Sequence, residues 1–248
     1  MKTIFRLLTI VGLTFAGGSL PAQLSPGGGD MPGFDKAMRK LFEKVEGFTS
    51  TALMTIGGSG QNVTLTVAIS MLNGDSRTEV DLARMEGAAI PAEMLSQLKS
   101  LGMDRMVTMS YAKDGRSLMI YPGMKAYAEI NGPKTAGGKS AEGTMEKTVV
   151  GMEDVSGKSC EKSTVKFKSE GSPEVTMTVW ADTSRKNLPV KIATAQDGVN
   201  LTLEFKEFKE VKPDAKLFTA PADFKKFNSV DELMAANMQK LMQAAPEK

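Results

Sequence analysis

The side chains that most often carry chemistry are scarce in this chain of 248 residues, which has no histidine and a single cysteine, Cys160. Without histidine there is no Ser-His-Asp or Cys-His nucleophile, no histidine-ligated zinc or haem, and no histidine pH switch. One cysteine closes no internal disulfide and builds no thiolate cluster. Cys160 follows the turn-like Ser156-Gly157 and stands between Lys158 and Lys162. A reactive thiol needs an open electropositive setting, and none of the residues nearby offers a base, so burial as a small apolar side chain is the simpler reading.

Methionine is abundant instead, with 18 in the chain. Met103, Met106 and Met109 recur every third residue, and thioethers can bind copper(I). Nothing closes a coordination sphere around them. Met109 shares strand parity with Val107 and Tyr111, while Met234, Met238 and Met242 follow helical spacing. These flexible side chains read as core filler or as the lining of an adaptable apolar groove. The run Gly132-Pro133-Lys134-Thr135-Ala136-Gly137-Gly138-Lys139-Ser140 imitates a phosphate loop, but the required leading glycine falls on Pro133, which has no N–H for a phosphate. It reads as a surface loop. The carboxylates are scattered; Glu153-Asp154 and Asp231-Glu232 read as solvated, the second pair suited to a helix N-terminus. No catalytic residue, metal ligand or cofactor is therefore expected. Trp180 reads as core or rim packing, and no basic groove interleaved with aromatics supports nucleic-acid binding.

What must be positioned, then, is apolar surface, and the pattern of the chain says how. Val63, Leu65, Val67, Ile69 and Met71 alternate with Thr64, Thr66, Ala68 and Ser70, the period of a strand with one apolar face. The same alternation returns at Val107–Tyr111, Val175–Val179 and Leu201–Phe205. Asn73-Gly74, Asp114-Gly115 and Asp197-Gly198 tolerate the positive φ of tight hairpins, so neighbouring strands are expected to be antiparallel. Three segments carry helical stripes instead. Phe34–Glu46 places Phe34, Met38, Leu41, Phe42 and Val45 on one face and ends at Gly47. Pro91–Leu101 does the same with Met94, Leu95, Leu98 and Leu101, as a plug or lid on the sheet. The third, after an N-cap at Ser229 with Glu232 three residues on, runs through Leu233, Met234, Met238, Leu241 and Met242.

Residues 1–22 combine Lys2 and Arg6, an apolar stretch from Leu7 to Ala16, and small residues up to Ala22. That order is the signature of a cleaved secretory signal peptide; the apolar run is too short for a spanning helix, so no transmembrane segment is expected. The protein is accordingly expected in the periplasm or secreted. Residues 23–33 read as a Gly/Pro linker. Lys2 and Arg6 account for both excess positive charges of the chain (31 basic against 29 acidic residues), so the remainder is formally neutral.

Five segments, in this order, carry a resemblance to a known family. They are Ile120-Tyr121-Pro122-Gly123-Met124-Lys125-Ala126-Tyr127, Val149–Cys160, Val179-Trp180-Ala181-Asp182, Leu188-Pro189-Val190-Lys191, and Pro213–Phe224. Together the segments resemble the LolA-like superfamily of periplasmic lipoprotein and lipid carriers, most closely an exported branch without an assigned function. The resemblance implies an α+β fold: a curved antiparallel, unclosed β-barrel with helices packed on its concave face. One such domain is expected over residues 34–228, followed by the amphipathic helix read from its own cap and stripe at residues 229–248. The resemblance further implies a non-catalytic protein holding a lipid, acyl chain or other apolar ligand between sheet and helices. Val67, Ile69, Met94, Leu98, Met109, Ile120 and Met177 are the residues expected to line the groove. The alternative is a filled half-barrel whose C-terminal helix docks on an envelope protein partner or on a membrane surface.

Overall fold

Alternating stretches become strands wherever a turn signal lets the chain fold back, and in this protein that happens repeatedly. A computed structural model describes residues 33–58, 61–87, 92–130, 143–170, 173–196 and 198–244. The expected signal peptide, nearly all of the linker and the Gly/Lys/Ser loop lie outside the described residues. Helix α1 (Phe34–Leu41) leads into strands β1 (Gly47–Gly58), β2 (Gln61–Leu72) and β3 (Asp75–Gly87). Helix α2 (Ala92–Ser100) precedes β4 (Arg105–Ser110), β5 (Ser117–Tyr121) and β6 (Ala126–Ile130). Next come β7 (Gly143–Val155), β8 (Lys158–Ser169), β9 (Val175–Asp182), β10 (Leu188–Gln196) and β11 (Val199–Lys209). A 3₁₀ turn (Ala215–Phe218), strand β12 (Lys225–Phe227) and helix α3 (Val230–Ala244) complete the described chain.

The twelve strands form one sheet in the order β12-β6-β5-β4-β3-β2-β1-β11-β10-β9-β8-β7. Every pairing is antiparallel except β12 with β6. The order is linear, so the sheet does not close. Asn73-Gly74 and Ser156-Gly157 make two-residue turns with positive φ at both positions (51° and 88°, then 53° and 77°), which matches the right-handed twist of the strands they join.

The curvature of the sheet follows from α1. Its Asp35 accepts a hydrogen bond from the Ser110 hydroxyl on β4 at 3.3 Å, and the same helix lies against β7. Those two strands stand eight positions apart, about 38 Å on a flat sheet, whereas an eight-residue helix is about 12 Å long. One short helix reaches both only if the sheet curls around it. The helix-bearing side is therefore the concave face.

A single apolar cluster fills that face, drawing Phe48, Leu65, Val67, Ile69, Met71, Phe167, Met177 and Phe205 from the strands and Phe34, Ala37 and Leu233 from the helices. Phe42 stands beside Phe48, Phe205 and Phe208 at ring-centroid distances of 4.8, 5.7 and 6.1 Å. This aromatic cluster explains why α1 is shorter than its stripe. The chain turns at Phe42 to seat the ring, so Val45 reaches the core from a turn and not from a helix.

The C-terminus of α2 is set by a close approach. Gly102 adopts a φ of 68°, Met103 N–H donates to Leu98 O and Gly102 N–H to Lys99 O, a Schellman ending. A Cβ at Gly102 would come within 2.5 Å of the Gly123 backbone, so the end of α2 is pinned to the β5–β6 connection. Helix α3 starts as expected: the Ser229 hydroxyl caps Glu232 N–H at 3.1 Å, and the Glu232 carboxylate accepts from Asn228 N–H at 3.0 Å. It packs on β6 and β12.

One expectation fails at β4 and β5. One-sided strands should leave a wet face, yet β4 is buried on both sides from Met106 to Ser110. Val107, Met109, Leu118 and Ile120 form a second cluster on the convex face, with Ala220 and Phe224 packed over it. Arg77 holds that cover by donating to Leu217 O at 3.0 Å. Alternation within a strand cannot report a cover supplied by a segment about a hundred residues later.

Candidate functional site

The concave face is floored by strands and only partly roofed by helices. Val67 and Met177 are almost fully buried in the floor, with Ile69 beside them. Above them α1, α2 and α3 are short. Met38 and Leu41 on α1, Leu95 and Leu98 on α2 and Met234 on α3 pack against the floor and are partly buried. Methionine and leucine at such a rim can repack around a guest at little strain.

Of the seven residues expected to line a groove, Val67, Ile69, Met177 and Leu98 come together in this concave cluster. Met109 and Ile120 stand on the opposite, convex face under the Ala220–Phe224 cover. The reason is parity: on β4 and β5 the residues that look inward are Met106, Thr108, Ser110 and Met119, one position away. Met94 lies on α2, and its side chain is outside the described set, as are those of Met238, Leu241 and Met242 on α3.

A polar patch, which sequence reading missed, occupies one end of the concave face near the turns at Asn73-Gly74 and Tyr111–Arg116. Ser110 and Ser117 oppose each other across β4 and β5 with hydroxyls 2.8 Å apart, and Ser110 also donates to Asp35. Burial pushes the Asp35 carboxyl above the usual range; the charge of Arg39 one helical turn on and the Ser110 hydrogen bond oppose that without cancelling it. Thr108, only 4% exposed, faces the same side with its Oγ1 unpartnered, and Arg39 Nε is likewise buried without a hydrogen-bond partner among the described residues. Two signals were available: Asp35 and Arg39 are spaced i, i+4, and Thr108 and Ser110 share the inward parity of β4.

The patch holds two serine hydroxyls and no thiol. Cys160 is fully buried on the convex side with Trp180 and Val190, its thiol pushed up first by burial and then by Asp182. Trp180 is packing, 7% exposed, with Lys162 and Lys191 over its ring at 5.2 and 4.7 Å. Burial also pushes the Tyr121 hydroxyl up to about 12, leaving it a donor to Met119 Sδ. Among the described residues no group of three acidic or Cys side chains is placed to hold a metal ion, and no helix is long and apolar enough to cross a membrane.

No family model and no curated protein matches the chain. Solved structures similar to it include an uncharacterised conserved protein from Thermus thermophilus, at TM-score 0.42 and 12% identity over 77% of this chain and 99% of that one. A LolA superfamily protein from Nitrosomonas europaea is similar at TM-score 0.40 and 9% identity, over 75% and 97% of the two chains. The lipoprotein LppX of Mycobacterium tuberculosis is similar at TM-score 0.36 and 10% identity, over 73% and 96%. The superfamily that the sequence resembles is represented among these neighbours.

Proposed function

We propose that this is an exported, non-catalytic binding protein that holds a lipid or acyl chain between the concave face of its sheet and its helices. The partly buried rim of Met38, Leu41, Leu95, Leu98 and Met234 over a fully buried apolar floor is the observation that carries the reading. Binding of this kind needs no reactive group. Removing apolar surface from water supplies about 25 cal/mol per Å², and a roof of short helices can move to admit the guest. The polar patch of Asp35, Ser110 and Ser117 would meet the polar end of such a ligand. Export rests on the n-, h- and c-like regions of residues 1–22.

Native mass spectrometry of the purified chain, with uptake of a fluorescent fatty acid, tests this. Bound lipid or saturable uptake is expected, with uptake weakened about tenfold or more in Leu98→Glu, which places a charge on the rim. A chain that carries no lipid and takes up none refutes it. The dense packing of Phe42, Phe48, Leu65 and Val67, each at most 1% exposed, favours the second reading in that event: a filled half-barrel serving as an interaction module.

A further inference from the structure

Among the described residues strand β7 ends the sheet with its outer edge unpaired, and from Glu146 to Asp154 all nine of its residues are exposed. Val149, Val150 and Met152 are 56%, 60% and 60% exposed, the most exposed large apolar side chains among the described residues. Toward the start of β7 Gly143 and Met145 are half-buried, and Met145 packs against the concave cluster. A long edge with free backbone groups and apolar side chains is a template for another strand.

The pattern on this edge specifies which strand. Directly opposed residues of an antiparallel pair share a face, so Lys147 and Val149, opposite Val165 and Ser163 on β8, lie on the concave face. A β-bulge at Val150 then shifts the parity. Beyond it Met152 and Asp154, opposite Glu161 and Ser159, lie on that same face, while Glu153 lies with Cys160 on the convex side. Read along the concave face, the order is therefore cation, apolar, apolar, anion.

We propose that the chain forms a two-fold dimer by antiparallel pairing of β7 with β7 of a second copy, centred on the bulge. A two-fold axis normal to the sheet keeps each face in common, and it sets Lys147 against Asp154 of the partner copy and Val149 against its Met152, each twice. On the convex face Glu146 meets Val155 and Thr148 meets Glu153, so no like charges oppose. Other registers are worse. A two-residue slip one way sets Glu146 against Glu153; the other way it sets Val149 against Asp154. A one-residue slip interchanges the faces, and parallel pairing stacks each charge on itself. Lys147 already holds Glu161 at 2.6 Å and would gain a second carboxylate.

Sedimentation of the purified chain over a concentration series tests this, with circular dichroism to check folding. A concentration-dependent dimer is expected. Lys147→Glu and Asp154→Lys should each weaken it about tenfold or more, and the double swap should restore it to within about threefold of wild type. Restoration cannot come from repaired folding, since the swap removes the internal Lys147–Glu161 pair for good. A wild-type monomer at every concentration overturns the proposal and makes the bulge a device against pairing. A dimer indifferent to the single charge reversals, or not rescued by the double swap, overturns it equally.

Discussion

The two edges of this sheet are built in opposite ways. At one end β12 is three residues long, pairs in parallel with β6, buries Phe227 and lies under α3, whose Leu233 is fully buried. At the other end β7 is thirteen residues long and keeps nine consecutive residues exposed. An edge is covered here where a later stretch of the same chain returns to it. β12 is delivered by such a return: after β11 the chain passes the 3₁₀ turn over the convex face, and Lys225 N–H then donates to Lys125 O as it docks on β6. For β7 the hairpin partner β8 supplies one side, and no described strand supplies the other. The contrast teaches that one edge belongs to folding and the other is left for association.

Substitutions at the two edges should separate those roles. The largest effect is expected at the covered edge: Leu233→Ala should cost about 3 kcal/mol in urea unfolding, because it empties a fully buried site between α3 and the sheet. A cost near zero would mean that α3 does not seal that edge. Ser229→Ala removes the α3 cap and should cost about 1 kcal/mol by the same measurement. Next comes Asp35, on α1 against β4. Its folded carboxyl titrates above the unfolded value, so folding binds its proton more tightly, and stability falls as pH rises through that interval. Asp35→Asn should therefore raise the melting temperature at neutral pH, with the gain vanishing on acidification into the ordinary carboxylate range. The smallest change in stability is expected at the open edge. Val149→Lys should leave unfolding within about 0.5 kcal/mol of wild type while weakening self-association. A loss above about 2 kcal/mol there would erase the contrast between the edges.

Much of the fold was legible because its signals are local. Val63–Met71 became β2, Asn73-Gly74 its turn, and Ser229 with Glu232 the start of α3, each fixed by neighbours within a few residues. The groove residues were only partly legible. Val67, Ile69 and Met177 could be assigned to an apolar face, but Met109 and Ile120 are just as apolar and face the other way, since the 3₁₀ segment supplies them with a separate cover. The polar patch escaped notice because Asp35, Ser110 and Ser117 come from different parts of the chain, and only curvature brings α1 to β4.

By itself, then, the sequence determined the inventory: no histidine, one cysteine, alternating apolar strands, antiparallel hairpins and three amphipathic helices. Period and turn chemistry act over a few residues, so they can be read without knowing the rest. The tertiary structure alone decided which face is concave, which apolar residues share it, where the parity of β7 breaks, and which edge stays open. Those depend on what each strand face meets across the fold, and in this protein the partners arrive from well over a hundred residues away.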